Sequence, residues 1–253
     1  MDRPAFEQRD RSIFVGCAGW SLPSAVQDRF PATGSQLERY AALFPAVEIN
    51  TSFYRPHRPS TYARWRDSVP DAFRFAAKVP KAITHELRLR QASEPLKKFI
   101  DEVSHLDHKL GCLLVQLPPR LHYDPELVWR FFARLRDLTN VALVCEARHA
   151  SWFTGEAVAM LAEFEVAQVI ADPQIAPLPD AAHKMKTEYF RLHGSPVMYY
   201  SSYPDDYLDR LAVTLDAHAR SGRQVWCVFD NTAQGAAVPN ALGLMVRLES
   251  ALA

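Results

Sequence analysis

Polar residues with the potential for chemistry follow directly after apolar runs of this chain. The run ending VEIN places Glu48 two positions before Asn50, and the run ending CEARH places Glu146 two positions before Arg148. Further polar residues stand at the ends of such runs: Lys78, Gln116, His149, Asp172, Arg191, His193, Asp230 and Asn231. Because side chains alternate along a β-strand, residues two apart share a face, and we expect these groups to meet at one edge.

Three cations in this set are suited to binding an anion. Arg148 and Arg191 would hold a phosphate or carboxylate through bidentate hydrogen bonds, and Lys78 would add a third positive charge. A Schiff base on Lys78 is a weaker alternative, because cationic neighbours alone do not define one. The expected ligand is therefore a small anionic molecule that bears phosphate or carboxylate.

The carboxylates and imidazoles of the same set are suited to proton transfer. Glu146 or Glu48 would act as the general base, with His193 or His149 as its acid partner. Beside the cations, two differently placed carboxylates can take different pKa values. The residues thus predict acid/base chemistry and fit an isomerase, a lyase or a hydrolase.

A purely structural role is the alternative for each of these charges. Arg148 would then neutralise Glu146, and Arg191 would neutralise Glu48, as buried ion pairs do in many proteins. A stable core does as well with hydrophobic residues, since burying unpaired charge costs several kcal/mol. The size of the whole set therefore favours a functional pocket.

The elements that must position these residues are visible as short apolar runs separated by helical patterns. Strands are predicted at about 13–18, 46–50, 73–78, 111–117, 141–147, 167–171, 187–193 and 224–230. Helices are predicted near 35–43, 59–67, 94–107, 125–137, 155–164, 205–220 and 235–250. Continuous apolar strands indicate a parallel sheet covered on both faces. Eight such units in 253 residues predict an α/β fold, a (β/α)8 TIM-type barrel whose strands carry the site at their carboxyl ends, with an open doubly wound sheet as the alternative.

The chain is expected to form a single domain over residues 12–253, preceded by a flexible segment over residues 1–11. No glycine- or serine-rich linker or repeat divides the sequence. Residues 172–186 carry three prolines, which predicts an irregular link between the sixth and seventh strands.

Composition and charge narrow the class of protein. Apolar residues make up 48% and charged residues 23%, as in ordinary globular proteins, and 29 basic residues balance 29 acidic ones. No apolar stretch approaches the length of a membrane span, and because no apolar segment follows the charges of MDRPAFEQRDRS, we expect no secretion through a signal peptide. The four cysteines form no CxxC pair, so we expect reduced, buried thiols and a cytoplasmic protein.

Several motifs resemble those of the YecE-like family, domain of unknown function seventy-two. They are GCAGW at 16–20, FPAVEINTSFYRP at 44–56, FRFAAKVPKAITH at 73–85, LLVQLPP at 113–119, CEARHASWF at 145–153, YFRLHG at 189–194 and the FDN…GAAVPNA stretch at 229–241. The resemblance covers almost the whole chain in order. It implies a cytoplasmic, bacterial TIM barrel and does not imply a reaction.

The polar motif positions of that family agree with the strand-end residues and extend them. Carried onto this sequence, they give catalytic candidates Glu48, Lys78, Glu146, His149 and His193. The substrate-binding candidates are Asn50, Tyr54, His85, Gln116, Arg148, Trp152, Arg191 and Asn231. Two departures stand out, because the loop SLPSAVQDRFP lacks the usual tryptophan and FYP, and FDNT replaces an asparagine pair, which makes Asp230 an additional acid.

The favoured function is an enzyme acting on a small anionic metabolite such as a sugar phosphate or sugar acid. A nucleic-acid-binding or metal-dependent phosphodiester-cleaving barrel is the second interpretation, based on the aromatic and basic run FYRPHRPSTYARWR at 53–66. A non-catalytic ligand-binding barrel is the third. No cofactor or membrane is expected, and a divalent metal is the lesser alternative, with possible ligands Glu48, Glu146, Asp172 and His193.

Overall fold

The computed structural model describes residues 12–179, residue 182 and residues 185–251. The predicted flexible segment 1–11 lies outside the described residues, as do positions 180, 181, 183 and 184 of the predicted irregular link. Over 173–179 the chain forms bends and no helix, in agreement with the prolines of that segment. The apolar runs predicted the strands closely.

Nine strands among the described residues form two sheets in which every pairing is parallel. The strands are β1 Ile13–Cys17, β2 Ala46–Ile49, β3 Arg74–Lys78, β4 Leu110–Gln116, β5 Ala142–Glu146, β6 Val166–Gln168, β7 Ile170–Asp172, β8 Thr187–Leu192 and β9 Gln224–Phe229. One sheet has the order β1-β9-β8-β7 and the other the order β2-β3-β4-β5-β6. The fold is therefore α/β with parallel sheets.

The predicted sixth strand is divided in two. β6 pairs with β5 and β7 pairs with β8, so the chain passes from one sheet to the other at Val169. The Val169 amide still donates to the Cys145 carbonyl at 2.9 Å. The apolar run continues through both halves, which is why the sequence predicts a single strand.

β1 and β2, the edge strands farthest in each sheet order from β7 and β6, also approach each other. Ala18 forms an isolated parallel bridge with Glu48. The Tyr40 hydroxyl donates to the Ala46 carbonyl at 3.0 Å and accepts from the Cys17 amide at 2.8 Å. A side chain at Gly16 would overlap the Ala46 carbonyl, so glycine is required for this close approach.

Helices cover the outer faces of the sheets: α1 Gln36–Ala41, α2 Thr51–Tyr54, α3 Pro59–Asp67, α4 Ser93–Val103, α5 Pro125–Leu138, α6 Gly155–Glu163, α7 Asp205–Arg220 and α8 Ala237–Ala251. Asp124 caps α5 by accepting from the Leu127 amide at 3.2 Å, and Pro125 occupies the first turn. The predicted helix 94–107 stops at Val103 because a 3-10 segment containing Asp107 at φ 53° follows. Within the described part of the chain, no helix has the length and apolar character of a membrane span.

The two faces of the strands belong to different hydrophobic cores. The outer faces pack against the helices. The inner faces of both sheets share a second core, formed by Phe14, Ala46, Ala76, Cys112, Leu114, Val144, Ala167, Val169, Tyr189, Trp226 and Val228. Because both sheets contribute to it, the carboxyl ends of their strands face a common space.

Candidate functional site

Polar residues cap this inner core at the carboxyl ends of the strands. Glu48 follows Ala46 by two positions on the same face, and the same relation to an inner-core residue holds for Lys78, Gln116, Glu146, Arg191 and Asp230. None of them is more than 9% exposed. We call the charged group formed by Glu48, Lys78, Glu146, Arg148, Arg191, His193 and Asp230 the strand-end cluster.

Arg191 lies at the centre of the strand-end cluster and binds three carboxylates. Its Nε and Nη2 donate to the two oxygens of Glu48 at 3.0 and 2.7 Å, while Nη1 donates to Glu146 Oε2 at 3.0 Å. Nη2 also lies 3.0 Å from Asp230 Oδ2. The Tyr189 hydroxyl adds a donor to Glu48 at 2.9 Å. Arg191 is fully buried, and its guanidinium is bound by these protein carboxylates.

His193 is held between two carboxylates. Its Nε2 lies 2.7 Å from Glu146 Oε1 and its Nδ1 lies 3.0 Å from Asp230 Oδ2. Both nitrogens must carry a proton to donate to both carboxylates, so the contacts favour the imidazolium. Burial opposes that charge, but the hydrogen bonds that His193 donates to Asp230 and Glu146 outweigh it and raise the pKa of His193 above its usual value.

Arg148 provides an alternative partner for His193. Its Nη2 lies 2.7 Å from Glu146 Oε1 and 3.1 Å from His193 Nε2. When Nε2 is unprotonated it can accept from Arg148, while Nδ1 still donates to Asp230. Both protonation states of His193 therefore have hydrogen-bonding partners in one arrangement.

The raised pKa of His193 predicts a pH-dependent contribution to stability. Below the unfolded pKa of about 6.5 the imidazole is protonated in both states and its two carboxylate contacts contribute fully; this contribution is lost as the pH rises through the raised folded pKa. We expect the melting temperature of the wild type to exceed that of His193→Gln by more at pH 6 than at pH 9. A difference that stays constant over this range would contradict the imidazolium.

Glu146 and Asp230 are held in the charged form. Burial raises the pKa of each carboxyl, but Arg191 and His193 more than compensate, and the pKa of both groups lies below its ordinary value. Glu146 is 1% exposed, whereas Arg148 retains 12% side-chain exposure. A carboxylate whose pKa is lowered in this way accepts a proton poorly, which argues against Glu146 as the general base.

Lys78 differs from the other cations of the strand-end cluster. Its side chain is 4% exposed, and no carboxylate among the described residues lies within salt-bridge distance of it. The ammonium sits 4.1 Å from the centroid of the Phe53 ring. Burial, followed by repulsion from Arg191, lowers the pKa of Lys78 to about 8. Part of the population is therefore neutral near physiological pH.

Three further predicted residues border the strand-end cluster. The ring of His85 contacts the edge of Phe53 at 5.0 Å, and burial together with the charge of Lys78 lowers its pKa. Asn50 Oδ1 and Asn231 Oδ1 are buried and have no hydrogen-bond partner among the residues that the structure describes. Buried acceptors of this kind are normally satisfied, so a donor from water or a ligand is expected there.

Three predicted binding or catalytic residues lie apart from these contacts. Trp152 is fully buried and donates from Nε1 to the Leu121 carbonyl at 2.8 Å, which gives it a structural contact. The His149 ring packs 3.8 Å from the His122 ring, and its Nδ1 accepts from the Ser151 amide. Tyr54 is 74% exposed on α2.

The carboxylates of the strand-end cluster point toward Arg191 rather than toward a shared metal position. Asp172, the fourth ligand considered from the sequence, accepts from the Tyr203 hydroxyl at 2.9 Å. Among the described residues, no three His, Cys, Asp or Glu side chains are grouped to hold a metal ion.

The aromatic residues of the 53–66 segment face inward, apart from one. Tyr62 is fully buried and Phe53 is 8% exposed. Trp65 packs against Trp20 at 5.0 Å and is only partly exposed. Tyr54 alone of this segment offers an open ring, so the segment does not form a row of stacking platforms for bases.

Residues beyond the predicted set also line the site. Met198 lies 3.9 Å from an Arg148 nitrogen. Together with Ile175 and Leu178 it lines a cavity of about 10 Å³ beside Arg148 and His193, room for roughly one water molecule. The irregular link gives no periodic signal, so sequence reasoning could place it between strands but not over the site.

The family model described as "Protein of unknown function DUF72" matches residues 14–253. The chain is similar to the UPF0759 protein YecE of Escherichia coli K12, with 34% identity over 145 residues that cover 56% of this chain and 50% of YecE. The match thus spans about half the length of that relative. Similarity to the UPF0759 protein YunF of Bacillus subtilis 168 is 23% over 267 residues, covering 94% of this chain and 95% of YunF.

Two solved structures share the fold. A DUF72 protein of Thermotoga maritima superimposes with a TM-score of 0.79 at 23% identity, over 94% of this chain and 99% of that one. A DUF72 protein of Enterococcus faecalis V583 gives a TM-score of 0.78 at 23% identity, over 94% and 95%. At this level of identity the likeness establishes the fold alone.

Proposed function

This chain belongs to the DUF72 family, and from that premise we propose that the strand-end cluster is an active site for proton transfer on a small anionic metabolite. The single observation that carries the proposal is the position of His193. It lies between two ionised carboxylates and within 3.1 Å of an arginine that can replace one of them as its partner. A proton can therefore leave or join Nε2 with little rearrangement of the site.

The architecture we propose for the two sheets is a closed (β/α)8 barrel. Their common inner core supports closure, as do the Tyr40 and Ala18 contacts between β1 and β2 and the direct passage of the chain from β6 to β7 at Val169. Sites in such barrels lie at the carboxyl ends of the strands. We also propose a cytoplasmic location, because the four cysteines are buried and free, the state that a reducing compartment maintains.

His193 is the acid/base group of this proposal. Glu146 and Asp230 orient its ring and stabilise the imidazolium, while their own low pKa keeps them ionised. Arg191 fixes those carboxylates and Glu48, so we assign it a positioning role. This differs from the sequence-based expectation in which Glu146 or Glu48 is the base and Arg191 binds the ligand.

Arg148 and Lys78 are the cations that we propose for binding the anion. With His193 protonated, the strand-end cluster holds four positive charges against three negative ones, which leaves a net charge of +1. Arg148 keeps 12% side-chain exposure, and its buried Nε has no acceptor within the described part of the chain. A bound phosphate or carboxylate would satisfy both the charge and that donor.

Entry of the ligand requires movement near Ile175 and Met198, because the cavity at Arg148 has room for only about one water molecule. Closure of this segment over the site would exclude bulk water during proton transfer. The inward-facing aromatics of α3 lend no support to nucleic acid at the same site.

Anion binding is expected to appear as thermal stabilisation. Phosphate at about one hundred times its Kd adds about 2.7 kcal/mol to the free energy of unfolding, which corresponds to a rise of about 5–10 °C in melting temperature. Arg148→Met should lose the rise, whereas Arg130→Met, at an exposed pair with Glu126, should keep it.

Two results of that experiment would contradict the proposal. One is a phosphate response that needs Arg130 and not Arg148, because the anion would then bind outside the strand-end cluster. The other is stabilisation by divalent cations with none by phosphate, which favours the phosphodiester-cleaving alternative.

A further inference from the structure

We propose that Lys78 is a nucleophile that forms an imine with the carbonyl group of a small anionic aldehyde or ketone. The inference rests on the proposed function, because it takes the same site and names the substrate class: an anionic carbonyl compound held beside Arg148. It adds a covalent step to the proton transfer assigned to His193.

The environment of Lys78 is unusual for a buried lysine. Its ammonium has neither a carboxylate nor a carbonyl partner among the described residues, and it lies over the face of the Phe53 ring. Lys109 gives the contrast, since this other buried lysine donates to the Arg66 and Val69 carbonyls at 2.8 Å each. Lys109 is held by two carbonyl oxygens, whereas the part of the chain that the structure describes offers Lys78 no oxygen acceptor and only the Phe53 ring.

The groups around Lys78 supply what imine formation requires. Burial and the neighbouring Arg191 lower the pKa of Lys78 to about 8, so roughly a quarter of the amine is neutral at pH 7.5, against about one in a thousand for an ordinary lysine. The face of Phe53, 4.1 Å from the nitrogen, excludes water from that side of the amine. The unpartnered Asn50 Oδ1 provides an acceptor at the neighbouring strand end.

The step balances with groups already present. The neutral amine of Lys78 adds to the carbonyl carbon, and the nitrogen lone pair then expels the oxygen as water. That oxygen takes up two protons, one from the amine and one from the imidazolium of His193. The positive charge passes from His193 to the iminium, and the imidazole left behind accepts from Arg148.

Reductive trapping tests the inference directly. The wild-type protein would be incubated at pH 7.5 with glyoxylate or pyruvate and cyanoborohydride, which reduces the iminium to a stable secondary amine. Peptide mass mapping is expected to find Lys78 carrying the mass of the carbonyl compound less one oxygen atom. Labelling at Lys78 should be at least about tenfold faster than at the exposed Lys81, because more of its amine is neutral.

Controls separate this result from general lysine reactivity. Denatured wild-type protein should lose the preference for Lys78, and Lys78→Met should leave only slow labelling of surface lysines. Labelling of the native protein confined to surface lysines would overturn the imine. If phosphate still stabilised the wild-type protein through Arg148, the proposed anion site would stand without the covalent step. If the wild-type protein showed neither labelling of Lys78 nor stabilisation by phosphate, the proposed function would fail as well.

Discussion

Replacing Arg191 with methionine is expected to lower the melting temperature by about 6–20 °C. The change leaves Glu48, Glu146 and Asp230 buried without the cation that binds all three. Removing one partner of a buried ion pair costs about 3–5 kcal/mol, and at this chain length each kcal/mol corresponds to about 2–4 °C. Thermal unfolding followed by circular dichroism measures the loss.

Matched variants identify the cause of that loss. Arg148→Met removes a cation that is partly exposed and contacts only one of the carboxylates, so its effect on stability should be much smaller. Adding Glu48→Gln to Arg191→Met removes one of the uncompensated charges and should recover part of the stability. Equal losses for Arg191→Met and Arg148→Met would contradict the central position assigned to Arg191.

Replacing Lys78 with methionine is expected to have the opposite effect on stability. A fall in pKa from 10.5 to about 8 corresponds to about 3 kcal/mol of destabilisation by the buried ammonium at neutral pH, which is an upper bound on the gain. Methionine keeps the apolar stem against Phe53 and removes the charge. Chemical denaturation at pH 7 should show a variant at least as stable as the wild type, and more stable by up to about 3 kcal/mol.

Lys109→Met is the control for this prediction. Lys109 is also buried, but its ammonium satisfies two carbonyls, so its removal should destabilise the fold. The destabilising cost of Lys78 should also shrink between pH 8 and 10.5, because the folded protein releases the proton first. Destabilisation by Lys78→Met comparable to that of Lys109→Met would show that Lys78 is held as a structural cation. Stabilisation with loss of the phosphate response is the pattern expected of a functional residue.

The strands were predictable because the inner and outer faces of parallel strands are both buried. Runs such as GCLLVQ contain no exposed position, and this continuity predicts β4 Leu110–Gln116 almost to the residue. The alternation of side chains then places Glu48 beyond Ala46 and Glu146 beyond Val144 on the inner face. The strand ends of the site were therefore predictable from local pattern alone.

The pairing of charges across strands was only partly predictable. The structural alternative pairs Arg148 with Glu146 and Arg191 with Glu48, and both salt bridges are present. Two further contacts of Arg191, with Glu146 and Asp230, depend on strand positions that no local spacing encodes. Asp230 was visible as an additional acid at the end of FDN, but its bond to His193 required the fold.

Burial at the ends of strands was the least predictable property. Glu146 was placed at a strand end by the sequence, but its near-complete burial, at 1% exposure, results from contacts with Arg191 and His193 that no local spacing encodes. Trp152 and Tyr54 carry similar motif signals, yet one is fully buried and the other 74% exposed. Whether a loop side chain is buried depends on tertiary packing, which the spacing of residues in the sequence does not predict.

The distribution of stability and function in the strand-end cluster follows from these contacts. Arg191 supports three carboxylates, and two of them, Glu146 and Asp230, fix His193. Among the described residues, Arg148 Nε has no hydrogen-bond acceptor and Lys78 has no carboxylate within salt-bridge distance. A cluster built only for stability would pair each buried cation with a carboxylate, and Lys78 has none among the described residues. Arg191 is fully paired with carboxylates whereas Lys78 and Arg148 are not, and this difference is the reason for assigning an anionic ligand to the site.

The location of a bound anion tests the central claim most directly. Crystals soaked in selenate, which has the shape and charge of sulfate, would reveal the anion by the anomalous signal of selenium. The proposal predicts a peak within hydrogen-bonding distance of Arg148 and Lys78 in the wild type and none there in Arg148→Met. A peak confined to the separate cavity lined by Arg90, Arg130 and Arg134, with water alone beside Arg148 and His193, would contradict an anion-binding active site at the strand ends.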